Sequence, residues 1–529
     1  MNKNAPIIIQ PTVIPADPGS ESGTGAGIQS ASGCRIKSGM TKRQEFYEMI
    51  NRTTILLLFG IVALLGGCTL APEYTRPEAP VPAGWPGGAA YQDLKAMPIT
   101  PPATEISWQE FFRDVRLQRI IATALNNNRD LRIAALNVER AWALYGVQRA
   151  VLYPTLDAVG SGIKQRVPAD LSGVGQKITV EQYSVDLGIL SWEIDFFGRI
   201  RSLKDRALEQ YLATEEARRS AEILIVSSVV TAYLSLAADR ENLKLGETTL
   251  AAQQSAYDLI KRRYDVGLAN ELALNQAQTL VDTARRNIAV FTQLVAQDEN
   301  ALNLLVGSPS PVLSELMPAD LVSVSPPREI SPGLSSEVLL LRPDIMAAEH
   351  QLKAANAYIG AARAAFFPRI ALTATVGTAS AELSGLFDSG QGTWGFAPQI
   401  VWPIFDARLW SAYDVTLAEK EIALAQYEKA IQTAFREVAD ALAVRGTADQ
   451  QLSAQQSLVD AYARTYHLSV ARYSKGIDSY LGVLDAQRSL YTAQQALIFL
   501  RLGKLANQVR LYAVLGGGSD QPVLHQSGS

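Results

Sequence analysis

Arg472–Gln487 reads RYSKGIDSYLGVLDAQ, and Arg263–Gln278 reads RYDVGLANELALNQAQ. A shift of 209 positions places Arg472, Tyr473, Gly476, Leu481, Ala486 and Gln487 on Arg263, Tyr264, Gly267, Leu272, Ala277 and Gln278. The chain is internally duplicated. In each copy a Gly stands just past a long helical pattern, where a residue without Cβ takes the left-handed conformation that ends a helix. Each stretch therefore reads as the bend of a helical hairpin.

The helices entering these bends run from about Arg199 to Tyr264 and from Arg408 to Tyr473, on the order of 95 Å each at the helical rise. Their apolar residues keep a seven-residue step: Val229, Leu236, Leu243, Leu250, Tyr257 and Tyr264, then Leu417, Leu424, Ile431 and Val438. The returning helices do the same with Leu274, Val281, Ile288, Val295 and Leu302, and with Val483, Leu490, Leu497 and Leu511. A sustained heptad means coiled-coil packing, and such a stripe is structural.

Further out, an offset of 214 places Asp130, Arg149, Ala150 and Pro154 on Asp344, Arg363, Ala364 and Pro368. The two copies share a helix of about 22 residues closed by Tyr153-Pro154 or Phe367-Pro368, because proline disfavours helix at and before itself. The apolar period then falls to two. Four strands are expected, at 155–166, 178–195, 369–382 and 392–405. Ile370, Leu372, Ala374 and Val376 alternate with Ala371, Thr373, Thr375 and Gly377, and Tyr183, Val185, Leu187 and Ile189 with Ser184, Asp186, Gly188 and Leu190. With Trp192, Trp394 and Trp402 near strand ends, this pattern suits a membrane β-barrel with a wet interior. It suits equally a soluble sheet with one solvated face.

Across 529 residues, 48% apolar content allows a substantial core. The formal net charge is -4, and residues 1–67 hold six basic and four acidic residues, so the remainder carries 42 Lys+Arg against 48 Asp+Glu. That balance gives no general attraction to nucleic acid. Two cysteines and three histidines leave little material for thiol, metal or imidazole chemistry. Gly173–Lys177 lacks the spacing of a phosphate loop and reads as a strand connection. His350 and His467 have no ligand spacing around them and read as surface or interhelical residues. No catalytic arrangement can be assembled, so no enzyme activity and no cofactor are expected.

The N-terminus carries targeting information. Residues 1–39 are Gly-, Ser- and Pro-rich, and Met40 is a plausible start. Lys42, Arg43 and Arg52 precede the apolar run Ile55–Leu65, which fits a signal-peptide core and is too short to span a bilayer. It ends in Leu65-Gly66-Gly67-Cys68, which resembles a bacterial lipobox whose Cys becomes the acylated first residue. The alternative is a signal peptide with an incidental Cys68. Thr69 after it, in that lipoprotein class, implies sorting to the outer membrane.

The lipobox, the duplicated helix–strand–strand–hairpin unit and the two tips closely resemble the outer membrane factors of tripartite efflux pumps, the TolC-like family. Trp192–Arg199, WEIDFFGR, and Pro403–Asp406, PIFD, resemble that family's strand-to-helix junctions. The resemblance covers nearly all of residues 68–515. It implies an α + β membrane protein in which a long coiled-coil α-helical barrel continues a transmembrane β-barrel, four strands per chain and twelve in a homotrimer. The expected domains are an upstream segment and lipoprotein signal peptide (1–67), a lipid-anchored Pro-rich tether (68–106), a first repeat (107–306), an equatorial connector (307–341), a second repeat (342–515) and a flexible tail (516–529).

The same resemblance implies a passive outer-membrane channel for small toxic compounds and antibiotics, reached through a periplasmic adaptor and an inner-membrane RND-type transporter. Its partners would also include outer-membrane lipid. The family's periplasmic gate falls on Leu481 and Asp485, and its second acidic ring on Gly482. The hairpin tips carry Tyr264, Gly267, Leu272, Tyr473 and Gly476. The family's tip Tyr matches Tyr473, but its basic partner falls on Asp478 and its acidic partner on Ala273, so those bonds do not transfer. Two other readings stay open: a lipid-anchored periplasmic coiled-coil scaffold, and a duct for secreted proteins.

Overall fold

The computed structural model describes residues 69–91, 103–307, 315–331 and 335–518; the expected signal peptide and Cys68 lie outside them. The first half comprises α1 (Trp108–Phe111), α2 (Val115–Asn127), α3 (Arg129–Ala150), β1 (Asp157–Val167), β2 (Ile178–Ile194), α4 (Arg199–Asp265) and α5 (Glu271–Val306). The second comprises α6 (Pro343–Ala364), β3 (Arg369–Ser380), β4 (Gly392–Val401), α7 (Ala407–Ser474) and α8 (Tyr480–Val514). Helices α3 and α6 are each 22 residues long, as the duplication requires. With 67 and 68 residues, α4 and α7 extend for about 100 Å.

Short and long helices meet at a waist. The Asn128 side chain caps α3 by accepting from the amides of Asp130 and Leu131, while its Nδ2 donates to the Leu305 carbonyl at the end of α5 (2.8 Å). Arg342, just before α6, donates to the Val514 carbonyl at the end of α8 (2.6 Å) and forms ion pairs with Asp344 and Glu437. In this way α6 follows on from α8, and α3 from α5. Orphan carbonyls at two helix ends are satisfied by the residues that start the next helices.

The main core sits at this waist. Val229, Leu236, Ile431, Val438 and Leu302 of the heptad stripes are fully buried there, whereas Tyr264 and Leu417 towards the ends are exposed. Each large side chain so buried contributes about 1.5–3 kcal/mol. Tyr512 stacks on Phe111 at 3.9 Å and donates its hydroxyl to the Ile106 carbonyl at 2.5 Å. The connector does more than wrap the helices: Leu321, Val324, Ile330 and Leu339 enter this core. The last described residues depart from the expected flexible tail, since Leu515–Gly518 are buried, with Gly517 against the Tyr512 ring.

The described part of the Pro-rich segment, residues 69–91, runs as a strap along its host and is not a free tether. Its carbonyls find donors along α6 and the turn before it: Asn356 Nδ2 to Pro72 (2.7 Å), Arg363 Nη1 to Leu70 (3.3 Å) and Ser336 Oγ to Pro82 (2.6 Å). Proline removes donors but leaves acceptors, so a strap of this composition needs mainly donors from its host. Arg76 grips Glu349 through both carboxylate oxygens (2.6 and 3.1 Å), and Trp85 stacks on Phe435. At Gly360 and Gly446 the strap backbone approaches so closely that a Cβ would lie 2.8 Å from Ala71 and 2.2 Å from the Ala90 oxygen.

The four strands form one antiparallel sheet in the order β1-β2-β3-β4. Registers Ala158↔Leu187, Leu187↔Val376 and Val376↔Trp394 put these residues on one face. Val159↔Asp186, Asp186↔Gly377 and Gly377↔Thr393 line the other. Both hairpin turns lie at one end of the sheet, and α3, α4, α6 and α7 all attach at the opposite end.

Candidate functional site

The sheet is the first functional element. One face carries Val185, Leu187, Ile189, Leu372, Val376, Trp394, Phe396 and Ile400, and the other Ser184, Asp186, Gly188, Thr373, Thr375 and Gln399. The apolar side chains of β4 are exposed, and β1 and β4 have no outer partner strand among the described residues. An apolar, edge-bearing surface of this kind needs both a nonaqueous surround and further strands.

The junctions repeat a device that the sequence did not reveal. The Trp192 indole donates to the Leu152 carbonyl and the Trp402 indole to the Phe366 carbonyl, both at 3.2 Å. Each acceptor lies two residues before the proline that closes a short helix. Both tryptophans thereby fasten the end of a strand to the end of its preceding short helix. At the starts of the long helices, Arg199 pairs with Glu193 through two bonds of 2.8 Å, and Asp406 caps α7 by accepting from the Arg408 amide. These acidic and basic residues stiffen the turn from sheet to helix.

The tips are the second element. Gly267 (φ 77°) and Gly476 (φ 72°) take the left-handed conformation expected of them. In each copy the six-residue closure is the same: Leu268 N to Arg263 O and Gly267 N to Tyr264 O, then Ile477 N to Arg472 O and Gly476 N to Tyr473 O. This is the double-bonded helix stop that satisfies the last carbonyls. Leu272 and Leu481 stand exposed in the first turns of α5 and α8. Tyr264 is exposed as well, while Tyr473 packs on Tyr480 with ring centroids 5.0 Å apart. Burial pushes the Tyr480 hydroxyl up to about 12.

The two duplicated arginines diverge in their partners. Arg263 crosses to the other hairpin and donates to the Tyr473 hydroxyl at 2.9 Å, with its guanidinium 5.2 Å from the ring centre. Arg472 stays in its own turn and pairs with Asp478, whose carboxyl that bond holds below its usual range. Asp478, which stands where the resemblance implies a basic residue, thus serves its own hairpin, and the bond between hairpins comes from Arg263. A second link, Asn287 Nδ2 to the Tyr491 hydroxyl (3.4 Å), lies further up.

Asp485 and Leu481 sit one turn apart on α8, as the spacing predicts. The carboxylate is not a lone charge, however, because Arg488 Nη2 donates to its Oδ1 at 2.6 Å. An exposed i,i+3 pair of this type is worth a few tenths of a kcal/mol. Among the other sequence candidates, His350 is interhelical and bonds Glu209 (2.6 Å), His467 is exposed, and Gly173–Lys177 lies in the β1–β2 connection.

The profile of the family described as "Outer membrane efflux protein" matches residues 120–308 and 334–517, one block in each half of the duplication. The toluene efflux pump outer membrane protein TtgF of Pseudomonas putida is 49% identical over 482 residues, covering 90% of this chain and 100% of that protein. The antibiotic efflux pump outer membrane protein ArpC of Pseudomonas putida is 49% identical over 469 residues, covering 88% and 96%. The open-state MtrE outer membrane channel of Neisseria gonorrhoeae superposes with a TM-score of 0.76 at 36% identity, covering 85% of this chain and 98% of that one.

Proposed function

This chain belongs to the outer membrane efflux protein family, and we propose that three copies of it form a closed passage from the periplasm to the cell exterior. The carrying observation is the amphipathic four-stranded sheet with two unpaired edges, continued from one end by the long helices. In lipid every backbone donor and acceptor needs a protein partner, so four strands must be completed by copies of themselves. Twelve strands then close with the apolar face outward and the polar face around a wet lumen.

The helices carry the passage on as a coiled-coil tube, and the tips form its periplasmic end. There Leu481 supplies an apolar constriction and Asp485, with its Arg488 partner, a charged one. The Arg263–Tyr473 bond ties the two hairpins of each chain together and holds the tip narrow. Cys68 is the acylated anchor: the strap holds Leu70 and Ala71 against Arg363 and Gly360, only a few residues along α6 from the start of β3. The exported compounds are small toxic molecules of the solvent and antibiotic kind that the relatives are named for. A periplasmic adaptor and an inner-membrane RND-type transporter deliver them. The tube itself does no chemistry and draws its driving force from that transporter.

Reconstitution tests this reading. Purified protein added to planar bilayers should produce discrete ion-conducting pores, and expression in a strain lacking its own outer-membrane efflux component should restore resistance to toluene. A lipid-anchored scaffold would conduct nothing.

A further inference from the structure

At the waist the connector, α7 and α8 enclose a cavity of about 750 Å³, within the range of small-ligand sites. Leu321, Leu452 and Leu505 give it an apolar floor, and Arg113, Arg328, Arg501 and Lys504 stand around it, opposed in the lining by Glu329 alone. Lys504 is already paired with Asp449, so the charge left for a ligand comes from the three guanidiniums, which are weakly committed elsewhere. Arg501 meets Glu241 at 3.5 Å and Arg328 meets Glu110 at 3.8 Å, while Arg113 is exposed and has no carboxylate partner among the described residues. A guanidinium carries five donors, so one long contact leaves most of them available.

The chemistry that complements this lining is carboxylates for the rim and apolar side chains for the floor, which an acidic peptide with apolar residues supplies. Helix α8, which forms the main wall, packs between α4 and α7.

We propose that this cleft binds a short acidic peptide segment with apolar side chains. It lies away from the tips and the sheet, so ligand binding is tested separately from conduction. The probe is a fluorescein-labelled hexapeptide of alternating glutamate and leucine, titrated by fluorescence anisotropy into the full chain in nonionic detergent; the same peptide with lysine for glutamate is the control. The acidic peptide should saturate at one site per chain and the basic one should not bind. Arg113→Glu, an exposed change, should weaken binding about tenfold, the loss of one charge-assisted bond. Leu452→Trp, which fills the floor, should abolish it while single-channel conductance stays unchanged. Equal binding of both peptides, no binding of the acidic one, or unaltered affinity in both variants would overturn the assignment.

Discussion

Replacing Tyr473 with Phe deletes one oxygen at the tip and leaves the ring in place. The lost contact is the 2.9 Å bond from Arg263. A hydrogen bond to a charged group contributes about 1.5–3 kcal/mol when sheltered, and partial exposure with salt screening brings this towards about 1 kcal/mol. Three copies acting together amount to about 3 kcal/mol, so a mostly closed tip should gain up to about a hundredfold in open probability. The guanidinium remains over the ring at 5.2 Å, a contact worth about 0.5–1 kcal/mol at exposed sites. Arg263→Gln removes both contributions and should open the tip further than Tyr473→Phe. Single-channel recording in planar bilayers measures this directly. An open probability unchanged in both variants would refute the role given to this bond.

At the constriction, Asp485→Ala leaves Arg488 without its partner, so cation preference and block by multivalent cations at the periplasmic end should both fall; unchanged selectivity would place the charged ring elsewhere. Leu481→Ser should raise resting conductance, and an unaltered resting level would remove Leu481 from the gate. In the strap, Arg76→Ala strips Glu349, whose side chain is 6% exposed, of its two-point partner and leaves Lys353 and the Tyr74 hydroxyl. The expected loss is about 1–3 kcal/mol, visible as a lower thermal midpoint, and an unchanged midpoint would mean that the strap merely rests on α6. Burial, then the neighbouring Asp239 charge, raises the Asp298 carboxyl to about 6. The native chain therefore holds a proton that the unfolded chain has released between the ordinary carboxylate range and pH 6, and stability falls as pH rises through that window. Asp298→Asn should flatten this dependence and stabilise the protein at pH 8, whereas the same pH profile in both proteins would contradict the shift.

What the sequence made legible was whatever repeats. The offsets of 209 and 214 located both glycine stops and both proline-ended helices, and the period-two runs located all four strands to within a few residues. The strap was opaque because its prolines make no pattern of their own; its partners, Glu349, Asn356, Ser336 and two glycines, lie more than 250 residues away. Identical tip sequence also concealed unlike bonds. Arg263 and Arg472 occupy equivalent positions, yet which one reaches across depends on the neighbouring hairpin, a tertiary fact. Arg488 is different, since its i,i+3 spacing from Asp485 is legible in the sequence itself. The buried glycines after Leu515 follow from packing on Tyr512, which no local composition announces.

The central claim is that one chain supplies a third of a barrel and that β1 and β4 are completed by copies of the same chain. Native mass spectrometry of the protein extracted in nonionic detergent tests it most directly. The expected particle contains three chains and no other protein. A folded monomer that keeps its full strand content in detergent would contradict it.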